Sequence, residues 1–257
     1  MIKESSKFEN SSIFEGMTSI RAIIKSIDTG ISDRRILKII FSKEKLKKIS
    51  KEVGYLRAVS EKYGFEIIES TDEEIEKIAV GSSHGGLIAY ATERTIPYIS
   101  EADILEGGFY VILEGIEDPY NFGYAIRSLY PAGCDGIILQ ERNWLSAAGV
   151  VARSSAGASE LLPAFRISSP SDLDLFKNKG YKIVSAEEKT DNALGKTELK
   201  KPLLLIIGGE KRGISKAYLD KTDLKIKIDY QREFSASLSA ASATTMFAYE
   251  IMRQNQK

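Results

Sequence analysis

The 257-residue chain balances 36 basic against 36 acidic side chains, so no global positive field marks a nucleic-acid partner; a hydrophobic share of 43% supports one large or two modest cores. No stretch approaches the roughly 20 apolar residues of a membrane span, and the opening MIKESSKFENSS lacks the apolar run of a signal peptide. One cysteine, Cys134, and one histidine, His84, exclude a Cys/His zinc cluster. The lone thiol fits a reducing compartment, so the expectation is a cytoplasmic protein with no membrane and no metal partner.

Apolar periodicity predicts strands and helices in alternation. A helix is expected over Met17–Ile27 and a strand over Arg35–Phe41. Ser42 then caps a helix running to about Tyr63, and a short strand follows at Phe65–Ile68. Thr71-Asp72-Glu73-Glu74 has the form of a capping box, opening a helix to Val80. After Ser82-Ser83-His84-Gly85-Gly86 comes a strand at Leu87–Ala91. Arg34, Arg35, Lys38, Lys43, Lys45, Lys47, Lys48 and Lys51 fall within eighteen positions, either as a solvated helix face or as a phosphate-contacting patch.

Beyond Pro97 a linker over 98–107 leads to a second set of strands: Phe109–Leu113, Gly136–Leu139, Tyr181–Ser185, Leu203–Ile207 and Leu224–Ile228. Their unbroken apolar runs suit strands buried on both faces, hence a parallel sheet. A last helix is expected from about Ser239 to Met252. The fold class is α/β in two domains, 1–97 and 108–257.

Three loops follow strands of the second domain, where such folds place ligands. They are Glu114 to Gly123, Gly208-Gly209-Glu210-Lys211-Arg212-Gly213, and Asp229 to Ser239. The second loop mimics a dinucleotide fingerprint. Position 210, however, is a glutamate where a pyrophosphate needs glycine, so a ligand without phosphates or a cation suits it better. This disfavours a nucleotide-dependent oxidoreductase.

Together the loops resemble the motifs of the SpoU-type ribose 2′-O-methyltransferases of the SPOUT superfamily. Asp118-Pro119-Tyr120-Asn121-Phe122-Gly123-Tyr124-Ala125-Ile126-Arg127-Ser128 is similar to the first motif, and Gly208 to Gly213 to the second. Ile228 followed by Ser237-Leu238-Ser239 and an apolar helix resembles the third. Arg153 to Pro163 matches the segment between the first two. The resemblance implies a trefoil-knotted methyltransferase domain over 108–257 and a smaller, ribosomal-protein-like RNA substrate-binding domain over 1–97. It also implies S-adenosyl-L-methionine as cofactor, rRNA or tRNA as substrate, and a homodimer.

By that resemblance Asn121, Arg127, Glu210, Ser237 and Ser239 are the catalytic candidates. Ser185, Gly208, Gly209, Ile228 and Leu238 are the cofactor contacts. Arg127 is the strongest candidate; a guanidinium is almost never deprotonated, so phosphate positioning or alkoxide stabilisation is at least as plausible for it as a base. Asn121 either orients the loop or ribose or caps the following helix. Two departures stand out: Ser239 replaces the family's asparagine, and Tyr124 occupies a position that is commonly small. The alternative reading is a non-catalytic RNA- or ribosome-binding protein. His84 reads as a turn residue, and Trp144 as a core, interface or base-stacking residue.

Overall fold

The computed structural model describes residues 13–140 and 147–256; Trp144 lies outside them. The chain divides into two compact units, residues 1–95 with 143–161 and residues 96–142 with 162–257.

The first unit holds a four-stranded mixed sheet of β1 (Ile13–Glu15), β2 (Ile36–Ser42), β3 (Glu66–Ser70) and β4 (Leu87–Ala91) in the order β1-β4-β2-β3. Strands β2 and β3 run parallel, and β4 is antiparallel to β1 and β2. Helix α1 (Gly16–Asp28) buries Ile20, Ile23 and Ile24, the i, i+3, i+4 spacing of one helical face. These side chains share a core with Phe14, Ile39, Phe41, Leu56 and Leu87. Helix α2 (Leu46–Tyr63) stops at Gly64, whose φ of 72° is left-handed. At the start of α3 (Asp72–Ile78) the Glu74 amide donates to Thr71 Oγ1 at 3.2 Å and Glu74 Oε2 accepts from the Thr71 amide at 3.3 Å. The capping box read from sequence is therefore formed.

His84 is buried and braces its turn. The Gly86 amide donates to Nδ1 at 3.1 Å, which leaves Nε2 to donate to Glu76 Oε1 at 3.0 Å. The basic cluster is not uniform. Arg34 is buried, Lys38 lies 4.4 Å from the Tyr90 ring and Lys45 pairs with Asp72, whereas Lys43, Lys47, Lys48 and Lys51 are exposed.

Residues 147–161 pack into this first unit although they lie, in sequence, among the strands of the second. Helix α5 (Ala148–Ser154) meets β1 so closely that a Cβ on Gly149 would sit 1.9 Å from the Ile13 carbonyl oxygen. Gly157, before α6 (Ala158–Leu161), approaches the Ala22 methyl, where a Cβ would come within 2.6 Å. Two ion pairs fix the segment. Arg153 Nη1 donates to Glu15 Oε2 at 2.6 Å, and Glu15 Oε1 accepts the Gly81 amide at 3.0 Å. Arg34 grips Glu160 with Nε at 2.8 Å and Nη2 at 3.4 Å, while its Nη1 donates to the Thr92 carbonyl at 2.7 Å.

The second unit is a six-stranded, all-parallel sheet: β5 (Phe109–Glu114), β6 (Gly136–Leu139), β7 (Ala164–Arg166), β8 (Lys182–Ala186), β9 (Leu203–Gly208) and β10 (Leu224–Ile226), ordered β10-β8-β9-β5-β6-β7. Every residue of β5 is buried, as expected for a central strand covered on both faces. The segment 98–107, read as a linker, is packed. Ile99 and Ile104 enter the core with Tyr110, Phe176 and Tyr181, and the Ile99 amide donates to the Arg166 carbonyl at 2.8 Å. Its apolar side chains and the Tyr110 and Tyr181 hydroxyls, which bond the backbone of Asp103, Leu105 and Gly108, explain why. The remaining helices are α4 (Pro119–Leu129), α7 (Leu173–Asn178), α8 (Lys216–Leu219) and α9 (Ala240–Asn255).

The Arg34–Glu160 side chains are only 5% and 4% exposed, so removing one partner strands a buried charge. Glu160→Leu is expected to cost about 3–5 kcal/mol in a denaturant titration, and Arg34→Met with Glu160→Leu to recover most of it. Burial pushes the Cys134 thiol up to about 12, so it stays protonated at neutral pH. Iodoacetamide at pH 8 should therefore leave the folded protein unlabelled and react fully only in denaturant, read by intact mass.

Candidate functional site

The strand order reverses between β5 and β9: the chain moves outward through β6 and β7, then returns to the other side of β5 through β8 and β9. Open parallel sheets bind ligands beyond the carboxyl ends of the strands at such a point. A cavity of about 310 Å³ lies on the β9–β8–β10 side of that point, lined by the ends of β8 (Ala186), β9 (Ile207, Gly208) and β10 (Ile226) together with residues from the loops and α9.

The loop after β9 is shaped by close backbone approach. A Cβ on Gly208 would fall 2.4 Å from the Gly213 carbonyl carbon, and one on Gly209 would fall 2.2 Å from the Gly115 carbonyl oxygen. No side chain fits either place without moving backbone. The Gly209 amide donates to the Glu114 carbonyl at 2.7 Å, and the Gly213 amide returns to the Gly209 carbonyl at 2.9 Å. Buried Glu114 holds the far side of the loop, accepting the Ser215 amide at 3.0 Å and Gln140 Nε2 at 3.3 Å.

Glu210 joins the three loops. Its Oε1 accepts both Asn121 Nδ2 and the Ala240 amide, each at 3.0 Å. The first contact ties it to α4, the second to the amino-terminal turn of α9, where an anion is also favoured by the helix dipole. Lys211 Nζ adds an exposed bond to Glu117 Oε2 at 2.8 Å.

The sequence candidates divide by position. Gly208, Gly209, Glu210, Ile228, Ser237 and Leu238 line the cavity. Asn121 reaches it through Glu210. Asn121 does not cap α4: Asp118 does, accepting the Tyr120 amide at 3.1 Å and the Asn121 amide at 3.4 Å, with Pro119 in the first turn. Ser239 is the cap of α9, its Oγ accepting the Ser242 amide at 3.2 Å. Neither Ser239 nor Ser185 is among the described residues lining the cavity. The Ser185 hydroxyl is fully buried with no partner among the described residues. Arg127 stands exposed on the last turn of α4 and forms no ion pair with the described residues. Tyr230, Lys227, Glu187 and Phe247 also line the cavity and escaped the sequence reading. Glu187 and Lys227 each directly follow a strand, and Tyr230 falls within the third loop.

The family model described as "SpoU rRNA Methylase family" matches residues 108–249. A putative TrmH family tRNA/rRNA methyltransferase of Staphylococcus haemolyticus is 34% identical over 150 residues, which is 57% of this chain and 59% of that protein. The corresponding Staphylococcus saprophyticus protein is 31% identical over 145 residues, 56% and 58% of the two chains. The match thus spans under two thirds of either relative. Among solved structures, the SpoU methyltransferase AviRb of Streptomyces viridochromogenes, in complex with AdoMet, aligns with a TM-score of 0.77 at 23% identity, covering 94% of this chain and 89% of that one. A structure described as an RNA 2′-O ribose methyltransferase aligns at 0.76 with 21% identity over 94% and 88%. At these identities the two structures establish the fold.

Glu210→Ala releases Asn121 and the α9 amide together. It is expected to lower the melting temperature by several degrees in a calorimetric scan. Glu210→Gln, which keeps an acceptor oxygen, should lose much less.

Proposed function

Since the chain belongs to the SpoU rRNA Methylase family, we propose that it transfers a methyl group from S-adenosyl-L-methionine to a ribose 2′-hydroxyl of ribosomal or transfer RNA. The observation that carries this reading is the cavity beyond the carboxyl ends of β8, β9 and β10, lined by the second and third motif loops and tied to the first through the Glu210–Asn121 bond. Its lining fits the group. Ile207, Ile214, Ile226, Ile228, Leu238 and Phe247 offer apolar walls to an adenine ring. Gly208 and Gly209 expose main chain without side chains, and carboxylates at 187, 188 and 210 suit a cation.

In this reading Gly208, Gly209, Ile228 and Leu238 hold the adenosyl portion through backbone groups. The bound cofactor supplies an electrophilic methyl carbon on a positively charged sulfur. Asn121 and Glu210 keep the first-motif loop in register with that pocket. Arg127 reaches the RNA, fixing a phosphate and stabilising the negative charge that develops on the ribose oxygen. It does so as a cation, and the ribose proton is released to water.

Two further features belong to the proposal. One is a trefoil knot, which the family match supports. The packed pair α4 and α9, with Ser128 Oγ 2.7 Å from Thr245 Oγ1, exposes Tyr124, Met246 and Tyr249, which supports a homodimer in which Arg127 serves the partner's site. The non-catalytic alternative draws on serine at 239 and on the neutral net charge; the Ser239 hydroxyl has a structural use as the cap of α9.

The test compares 2′-O-methyl maps of total RNA from cells with and without the protein. A position that disappears without it and returns with the unaltered chain is expected. Arg127→Ala should fail to restore that position, with a kcat at least a hundredfold lower and S-adenosylmethionine affinity unchanged. Identical maps in the two strains would reject the reading.

A further inference from the structure

The stretch between β10 and α9 carries two aromatic rings that the fold does not require. Residues 227–239 form neither helix nor strand, and Tyr230 and Phe234 are 39% and 59% exposed. Their ring centroids lie 6.0 Å apart with planes at 68°. Tyr230 is anchored: it lines the cavity, and its hydroxyl accepts the Leu238 amide at 3.1 Å. Phe234 rests edge-to-face on that anchored ring and belongs to none of the core clusters of the described residues. A phenyl group so exposed contributes little to folding, yet it is held beside the cavity by a ring that is fixed.

A ribose whose 2′-hydroxyl reaches a methyl carbon in this cavity carries its base on the adjoining ring carbon, so the base must lie at the cavity mouth. A concave site admits such a nucleotide only when it leaves its own stack, and the lost stacking is recovered on aromatic side chains. We infer that the Tyr230–Phe234 pair is the stacking platform for the base of the methylated nucleotide, and that the substrate is therefore an unpaired position in RNA. This rests on the methyltransferase reading above. Tyr230 sets the tilt of Phe234, and Phe234 offers its free face to the base. Arg232, exposed between them in sequence, supplies a cation for an adjoining phosphate.

The experiment uses the full chain with three variants, Phe234→Trp, Phe234→Leu and Tyr230→Phe, and two probes, single-stranded oligoadenylate and its duplex with oligouridylate. The unaltered chain has a single tryptophan, Trp144, which gives the fluorescence baseline. The added indole of Phe234→Trp is expected to be quenched by the single strand and much less by the duplex. Phe234→Leu, apolar but without a π-face, should bind the single strand roughly tenfold more weakly while titrating S-adenosylmethionine like the unaltered chain. Tyr230→Phe, which keeps the ring and loses the Leu238 bond, should fall between them. Unchanged single-strand affinity in Phe234→Leu, or no quenching in Phe234→Trp, overturns the platform. So does loss of self-association in Phe234→Leu by sedimentation with RNA binding intact, which would assign the ring to a second copy of the chain. Failure of the methyltransferase reading itself has a different signature: the unaltered chain would not bind S-adenosylmethionine.

Discussion

One carboxylate oxygen organises the carboxyl edge of the second sheet. Glu210 Oε1 accepts from the Asn121 side chain and from the Ala240 backbone, so a single acceptor joins a loop after β5, a loop after β9 and the start of the last helix. These three pieces are far apart in sequence, and each costs conformational entropy to immobilise. A neutral acceptor would bond both donors more weakly, since hydrogen bonds to an ionised group are the stronger ones. The placement also uses the positive end of α9, whose free amides favour a negative partner. The cavity is then presented by loops whose positions are mutually fixed.

The glycines beside Glu210 have a different role. At Gly208 and Gly209 the obstacle to any side chain is backbone, the carbonyl groups of residues 213 and 115, which have nowhere to retreat. At each place two segments of main chain lie at contact distance, which the absence of a Cβ permits. The same positions resemble a nucleotide-binding turn in sequence, which is why Glu210 decides between the two interpretations.

Long apolar strands and the capping box of α3 were legible in the sequence because each leaves a local signature: uninterrupted hydrophobicity, or Thr71 three residues before Glu74. The three-residue strands β1 and β7 were not, whereas the equally short β10 was read within the longer run Leu224–Ile228. The motif residues were readable, but their division of labour was not. Ser237 faces the cavity while Ser239, two residues on, caps a helix, a distinction set by where α9 begins. The Asp118-Pro119 pair in fact carried the signal for the α4 cap, an acceptor followed by a residue suited to the first turn. Tyr230 joins the cavity through a bond to a backbone amide eight residues away, and nothing in residue type or spacing announces such a contact.

The packing of residues 147–161 against β1 and α1 bears on how this chain can diversify. A stretch encoded between the first and second motifs is matched, atom against atom, to a stretch encoded before residue 95: Gly149 to the Ile13 carbonyl, Gly157 to Ala22, Arg153 to Glu15 and Glu160 to Arg34. Recombination that exchanged only the amino-terminal region for that of a relative would separate these pairs, leaving charges without counter-charges and side chains facing backbone. Viable descendants must either inherit both stretches from one parent or change them in concert, so the two should show correlated substitution across lineages.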